Sequence, residues 1–173
     1  MPDQFKSMRL LLAYAFRVSL AIKDGVIGPE ICRRPINIIT GDEGVHLPSD
    51  NDATQSDLQD WADNMVMLAL YGSALGCHEL IDSARGPVLK DKEHLGLRVL
   101  VYQLRNAVAH RPWQPKWKID ERYRHDYPIT LLSGRCFTFE ASKLNGRFVK
   151  PEDFGGLESW LDILWQCEGM VAP

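Results

Sequence analysis

Between Ser56 and Gly86-Pro87 about thirty residues run without a proline, and Leu58, Trp61, Met65, Leu68, Tyr71 and Leu75 recur at intervals of three and four. Apolar residues at that spacing line one face of an α-helix. At 1.5 Å per residue the helix would be about 40 Å long. Ser56-Asp57-Leu58-Gln59 fits a capping box at its start, in which serine and glutamine satisfy free backbone N–H groups reciprocally. Gly72 and Gly76 inside it are spaced to let another helix pack closely. They do not suggest a phosphate loop, because no Gly-Lys-Ser/Thr follows.

Two more helices are expected beside it. Phe5, Met8, Leu12, Ala15, Phe16 and Ser19 repeat at helical spacing, predicting a helix from Asp3 to Lys23 that stops near Gly25. This pattern, with Arg17 interrupting the apolar run, reads as an amphipathic helix and not a secretion signal. Residues 25–54 read as a loop rich in turn residues, with Ile36-Asn37-Ile38-Ile39 as a short strand inside it. The third helix is predicted to start at Asp91 as N-cap, and Leu97, Leu100, Val101, Leu104 and Val108 form its apolar stripe. Arg111-Pro112 ends it, because proline disfavours helical geometry in the preceding residue, so His110 falls in or beside the final turn.

The pattern then changes. Trp117 and Ile119 alternate with lysines, and Pro128–Leu132 and Arg135–Glu140 flank Ser133-Gly134 as a hairpin. Asn145-Gly146 is a second hairpin signal before Arg147-Phe148-Val149. Leu157, Trp160, Leu161 and Leu164 predict a closing helix. The expected fold is therefore mainly α, an up-down helical bundle with a small antiparallel β-sheet inserted before the C-terminal helix. It is expected as a single domain over residues 1–173, with core helices in 1–112, the β elaboration in 113–150 and the closing helix in 151–173.

Composition narrows the class. With 45% hydrophobic and 25% charged residues the chain is neither disordered nor low-complexity. No apolar run approaches the roughly 18 residues of a membrane span. Cys32, Cys77, Cys136 and Cys167 are widely separated and show no zinc-ligand spacing, so reduced thiols and a cytoplasmic location are expected, with no metal and no cofactor. The overall charge of −3 conceals a basic segment: residues 98–150 hold 11 basic and 4 acidic side chains.

Inside that segment lies Leu104-Arg105-Asn106-Ala107-Val108-Ala109-His110. On an ideal helix Asn106 and His110 share a face, while Arg105 points about 140° away from His110. Histidine suits proton transfer near neutral pH. Arginine stays charged and offers a planar fork of donors to phosphate oxygens. Such a pair beside RNA can promote attack by the ribose 2′-hydroxyl without a metal: His110 takes the proton, Arg105 stabilises the charge gathering on phosphorus, and Asn106 orients the imidazole or holds a phosphate oxygen. The competing structural reading pairs Arg105 with Glu79 or another carboxylate and has His110 cap its own helix.

Arg105-Asn106-x-x-x-His110 resembles the R-x4-6-H signature of the HEPN superfamily, in the form where a polar residue follows the arginine. The resemblance covers roughly residues 1–112. It implies a HEPN-like helical bundle, metal-independent endoribonuclease activity with Arg105, Asn106 and His110 as the site, a role in toxin–antitoxin or phage-defence systems, and a homodimer in which the motifs meet. An antitoxin or defence-system protein is the further partner implied. A non-catalytic HEPN-like module binding nucleotide, RNA or protein is the alternative. One toxin branch carries a tyrosine two residues after the histidine, the target of its modifying antitoxin; here that position is Pro112, so such a partner is not expected.

Around the motif, Trp113, Trp117 and Tyr123 interleave with Arg111, Lys116, Lys118, Arg122 and Arg124, a mixture of rings and cations suited to single-stranded RNA. Trp117 is more economically explained as core. Cys77 and His78 are adjacent and point to different faces of their helix, which argues against a catalytic dyad. The aspartates at 50, 52, 57, 60 and 63 read as solvated.

Overall fold

Helices account for most of the chain. The computed structural model describes residues 2–40 and 43–171. Helix α1 spans Pro2–Lys23, α2 Gln55–Arg85, α3 Leu95–His110, α4 Ala141–Leu144 and α5 Leu157–Val171. Strands β1 (Ile36–Thr40) and β2 (Glu43–Leu47) form one antiparallel pair, and β3 (Asp126–Thr130) and β4 (Cys136–Glu140) another. The protein is thus mainly α with two small antiparallel sheets, the second of them inserted before the C-terminal helix. No helix among the described residues is long and apolar enough to cross a membrane.

Helix boundaries follow local chemistry. Gly25 and Gly86 take positive φ angles of 72° and 70° just beyond α1 and α2, a conformation in which glycine carries no Cβ penalty. At the start of α2 the reciprocal cap is made by Thr54 and Asp57, two residues before the expected box. The Thr54 amide donates to Asp57 Oδ2 (3.0 Å) and the Asp57 amide to Thr54 Oγ1 (3.2 Å). Hydrogen bonds from the Thr54 hydroxyl and amide hold the Asp57 carboxyl below the ordinary aspartate value. Helix α3 begins at Leu95, later than expected. Asp91 is occupied elsewhere: it accepts from the His94 amide (3.3 Å) and faces Arg98 (3.5 Å).

The chain divides into two compact units, one of Met1–Leu11 with Leu68–Pro173 and the other of Leu12–Met67. In the first, the predicted α3 stripe of Leu97, Leu100, Val101, Leu104 and Val108 is buried throughout. Arg98, also buried, donates from Nη2 to the Gly86 carbonyl (2.6 Å) and so ties the end of α2 to α3. Trp160 of α5 donates its indole N–H to Ser73 of α2 (2.8 Å). Gly76 lets Met8 of α1 approach closely, since a Cβ there would lie 3.0 Å from Met8 Sδ. Trp117 is core: it packs on Phe139 and its indole N–H reaches Asp153 Oδ2 (2.7 Å).

The hairpin around Ser133-Gly134 forms as β3–β4, with Asp126 opposite Glu140 and Thr130 opposite Cys136. Asn145-Gly146 does not make a second hairpin. Gly146, at φ 82°, turns the chain out of α4. The following residues run against 115–119 instead: the Trp117 amide donates to the Arg147 carbonyl, the Val149 amide to the Pro115 carbonyl, and the Ile119 amide to Asn145 Oδ1, each at 2.9 Å.

The face of α2 also departs from expectation. Leu58 and Tyr71 are buried, but Trp61, Met65, Leu68 and Leu75 are 38–51% exposed. The buried side is built from smaller residues, among them Ala62, Val66, Ala69, Ala74 and Cys77. Small side chains admit neighbours closely, and a search for large apolar residues selects the opposite face.

The second unit has a small core of Ile22, Leu58 and Ala62, with Val18, Ile27 and Cys32 packed on it. The long expected loop carries the β1–β2 hairpin, in which Ile36 pairs with Leu47 and Ile38 with Val45. Gly41 and Asp42, the turn signal between the strands, lie outside the described residues.

Candidate functional site

Helix α3 presents the motif at its C-terminal end. Arg105 and His110 are exposed and Asn106 is half-buried, while the neighbouring Leu104, Ala107 and Val108 are fixed in the core. The helix stops where Pro112 requires, and the Arg111 amide donates to the Ala107 carbonyl (3.3 Å) to close the last turn. Arg105 Nη1 donates to Asn106 Oδ1 (3.1 Å). Asn106 therefore orients the guanidinium and not the imidazole. Among the described residues Arg105 forms no ion pair, so the expected structural alternative of an Arg105–Glu79 salt bridge is not what fixes it.

Arg105 overhangs an open cleft of about 600 Å³ lined from α2 by Leu75, His78, Glu79, Asp82 and Ser83. Those five positions fall on one face of α2, at the three- and four-residue spacing of a helix. An adjoining cavity of about 250 Å³ shares His78 and Asp82 and is lined on its far side by Tyr102, Arg122 and Tyr123. The histidine that shares this cleft with Arg105 within one chain is thus His78. His110 lines neither cavity.

His78 is half-buried, with its ring 5.3 Å from that of Tyr102, which in turn lies 5.5 Å from Tyr123. Burial holds its pKa below the ordinary histidine value. Asp82 opposes that shift, Arg105 and Arg98 add to it, and Glu79 opposes it. Asp82 is itself held near Arg98, at 3.5 Å. Sequence reasoning set His78 aside because Cys77 beside it points elsewhere. That geometry is correct: Cys77 is fully buried, and burial together with the adjacent Cys167 thiol pushes its own pKa up. The signal for His78 was its distance of one turn from Asp82 and its place in the same cleft as Arg105, which only the α2–α3 arrangement reveals.

The five cations expected to bind RNA are dispersed. Arg122 reaches the adjoining cavity and pairs weakly with Asp120 (3.8 Å). Lys116 leans over the Phe148 ring (4.4 Å), and Arg124 Nε donates to the Ile119 carbonyl (3.1 Å). Arg111 and Lys118 are exposed, as is Trp113. Among the described residues no group of three or more histidine, cysteine or acidic side chains is placed to hold a metal ion.

No family model, curated protein or solved structure matches this chain.

Proposed function

We propose that the protein is a metal-independent endoribonuclease of HEPN type, working as a cytoplasmic homodimer in a toxin or defence system with a protein partner. The observation that carries this reading is Arg105: an arginine with no carboxylate partner among the described residues, steered by Asn106 over an open cleft, on the same helix end as an exposed histidine. A phosphate entering the cleft supplies the anion that the guanidinium lacks. Arg105 then stabilises charge on phosphorus, and His110 of the partner subunit receives the 2′-hydroxyl proton. Exposed Leu75, at the edge of the same cleft, and Leu68 one turn pair before it favour a second copy packing along α2.

The test is cleavage of a mixed-sequence RNA by the purified protein in EDTA. The expected products end in a 2′,3′-cyclic phosphate and a 5′-hydroxyl, and 2′-deoxy substitution at the cut site blocks the reaction. Binding of RNA with no cleavage under any condition would replace this reading with the non-catalytic module.

The basic stretch makes a separate prediction. If Lys116 and Lys118 track phosphates, the double variant Lys116→Glu/Lys118→Glu should weaken RNA binding irrespective of sequence. It should also flatten the log–log dependence of affinity on salt by about 1.4 or more, since each phosphate neutralised on a single strand contributes a slope of about 0.7 and each reversal adds repulsion. Unchanged affinity at low salt assigns both lysines to a solvated face.

A further inference from the structure

Cleavage by 2′-hydroxyl attack needs two proton transfers, and the Arg-Asn-x-x-x-His motif supplies a group for only one of them. We propose that His78 is the general acid of the Arg105 cleft, the group that protonates the departing 5′-oxygen. The proposal rests on the endoribonuclease reading above and adds a catalytic residue to it.

Position is the first support. His78 lines the cleft into which Arg105 projects, and it projects from the opposing helix. A phosphate held by the guanidinium therefore sits in a cleft whose wall includes the imidazole. His78 is also shared with the adjoining cavity, whose far wall carries Arg122. A strand crossing from one cavity to the other passes His78 and Asp82, the two residues both cavities share, with Arg105 in one cavity and Arg122 in the other.

Chemistry is the second. The 2′-oxygen bonds to phosphorus while its proton passes to His110 of the partner subunit. The P–O5′ bond breaks, its electron pair stays on the 5′-oxygen, and the His78 imidazolium delivers the proton that completes the 5′-hydroxyl. One histidine gains a proton and the other loses one, and exchange with water restores both. Burial makes the His78 imidazolium a stronger acid than a solvated one. Asp82 and Glu79, on its own helix, partly offset that burial. Arg98 and Arg105 from α3 oppose protonation until a phosphate neutralises part of their field. Tyr102, against the ring, and Arg122 and Tyr123 of the turn at Glu121–Tyr123 complete the surroundings.

The experiment compares two substrates: an RNA dinucleotide, whose alkoxide leaves poorly, and uridine 3′-(4-nitrophenyl phosphate), whose nitrophenolate leaves without a proton. His78→Ala and His78→Gln should lower kcat/KM for RNA by about a hundredfold or more, the range of a positioned acid, yet change it by less than about threefold for the nitrophenyl ester. Retained ester cleavage also shows that the variants fold. His110→Ala should lose both substrates. In the wild type kcat/KM for RNA should decline with rising pH through a limb lying below the ordinary histidine value of about 6.5, because the acid must carry its proton. That limb should be missing for the ester and in His78→Gln. Equal losses on both substrates, or no loss on RNA, would overturn the assignment and leave the nuclease reading intact. Failure of the wild type to cleave either substrate would remove the nuclease reading and this assignment with it.

Discussion

Arg105→Ala and His110→Ala should each abolish RNA cleavage to within about 1% of wild type or less, because a transition-state cation and a positioned base each contribute roughly 10²–10⁴-fold. Both side chains are exposed. Truncation therefore removes no core contact, and the stability of each variant should stay within about 0.5 kcal/mol of wild type by urea unfolding. Asn106→Ala is graded differently. It removes the Oδ1 that accepts from Arg105 Nη1, so the guanidinium survives but loses its guide. Cleavage should fall less than in Arg105→Ala, and the loss should appear mainly in kcat, since a misplaced cation still attracts phosphate but stabilises the transition state poorly. Single-turnover assays on one oligonucleotide measure all three. Full activity in His110→Ala would end the assignment of that residue.

Legibility of the fold followed the strength of local signals. The α3 stripe was plain because its large apolar residues are also its buried ones, and Pro112 marks the end of the helix. The β3–β4 hairpin was plain because Ser133-Gly134 sits between two alternating runs, and Gly134 indeed takes φ 84°. The face of α2 was misread for a physical reason: close packing is built there from alanines and a cysteine, which carry little weight in a hydrophobic pattern, while Trp61 and Met65 are left outside. Strand β1 was expected, but its partner β2 escaped because Glu43–Leu47 alternates only over Val45-His46-Leu47, too short a run to stand out beside a glycine and an acid. Asn145-Gly146 was a true turn signal, but the partner of the strand after it lies near residue 116 and could not be read from spacing.

The site divided in the same way. Arg105 and Asn106 are neighbours in sequence, so their hydrogen bond is a local matter. His78 is 27 positions from Arg105, and their meeting depends on how the α2–α3 turn closes. Arg98 sets that closure by donating to the Gly86 carbonyl (2.6 Å) while lying between Asp82 and Asp91. Asp91 is correspondingly perturbed. Burial raises its pKa, but hydrogen bonds from His94 and the charges of His94 and Arg85 outweigh that and hold it below the ordinary aspartate value. Nothing in the periodicity of either helix encodes this clamp.

The placement of Arg105 and His110 on one helix leads to the sharpest test of assembly. About 140° separates them on an ideal helix, and His110 does not line the Arg105 cleft. Across a two-fold axis every surface patch occurs twice, so Arg105 of one copy can meet His110 of the other. Homodimers of Arg105→Ala and of His110→Ala should both be inactive. When the two variants are mixed after reversible dissociation, half of the dimers formed at random are mixed. In each mixed dimer one site lacks both residues and the other has both. Activity should then recover to about a quarter of wild type, given independent sites. If each site draws both residues from one chain, every site in the mixture lacks one of them and no activity returns. Light scattering at the assay concentration checks the premise directly, and a monomer there would sink the dimer whatever the mixture does.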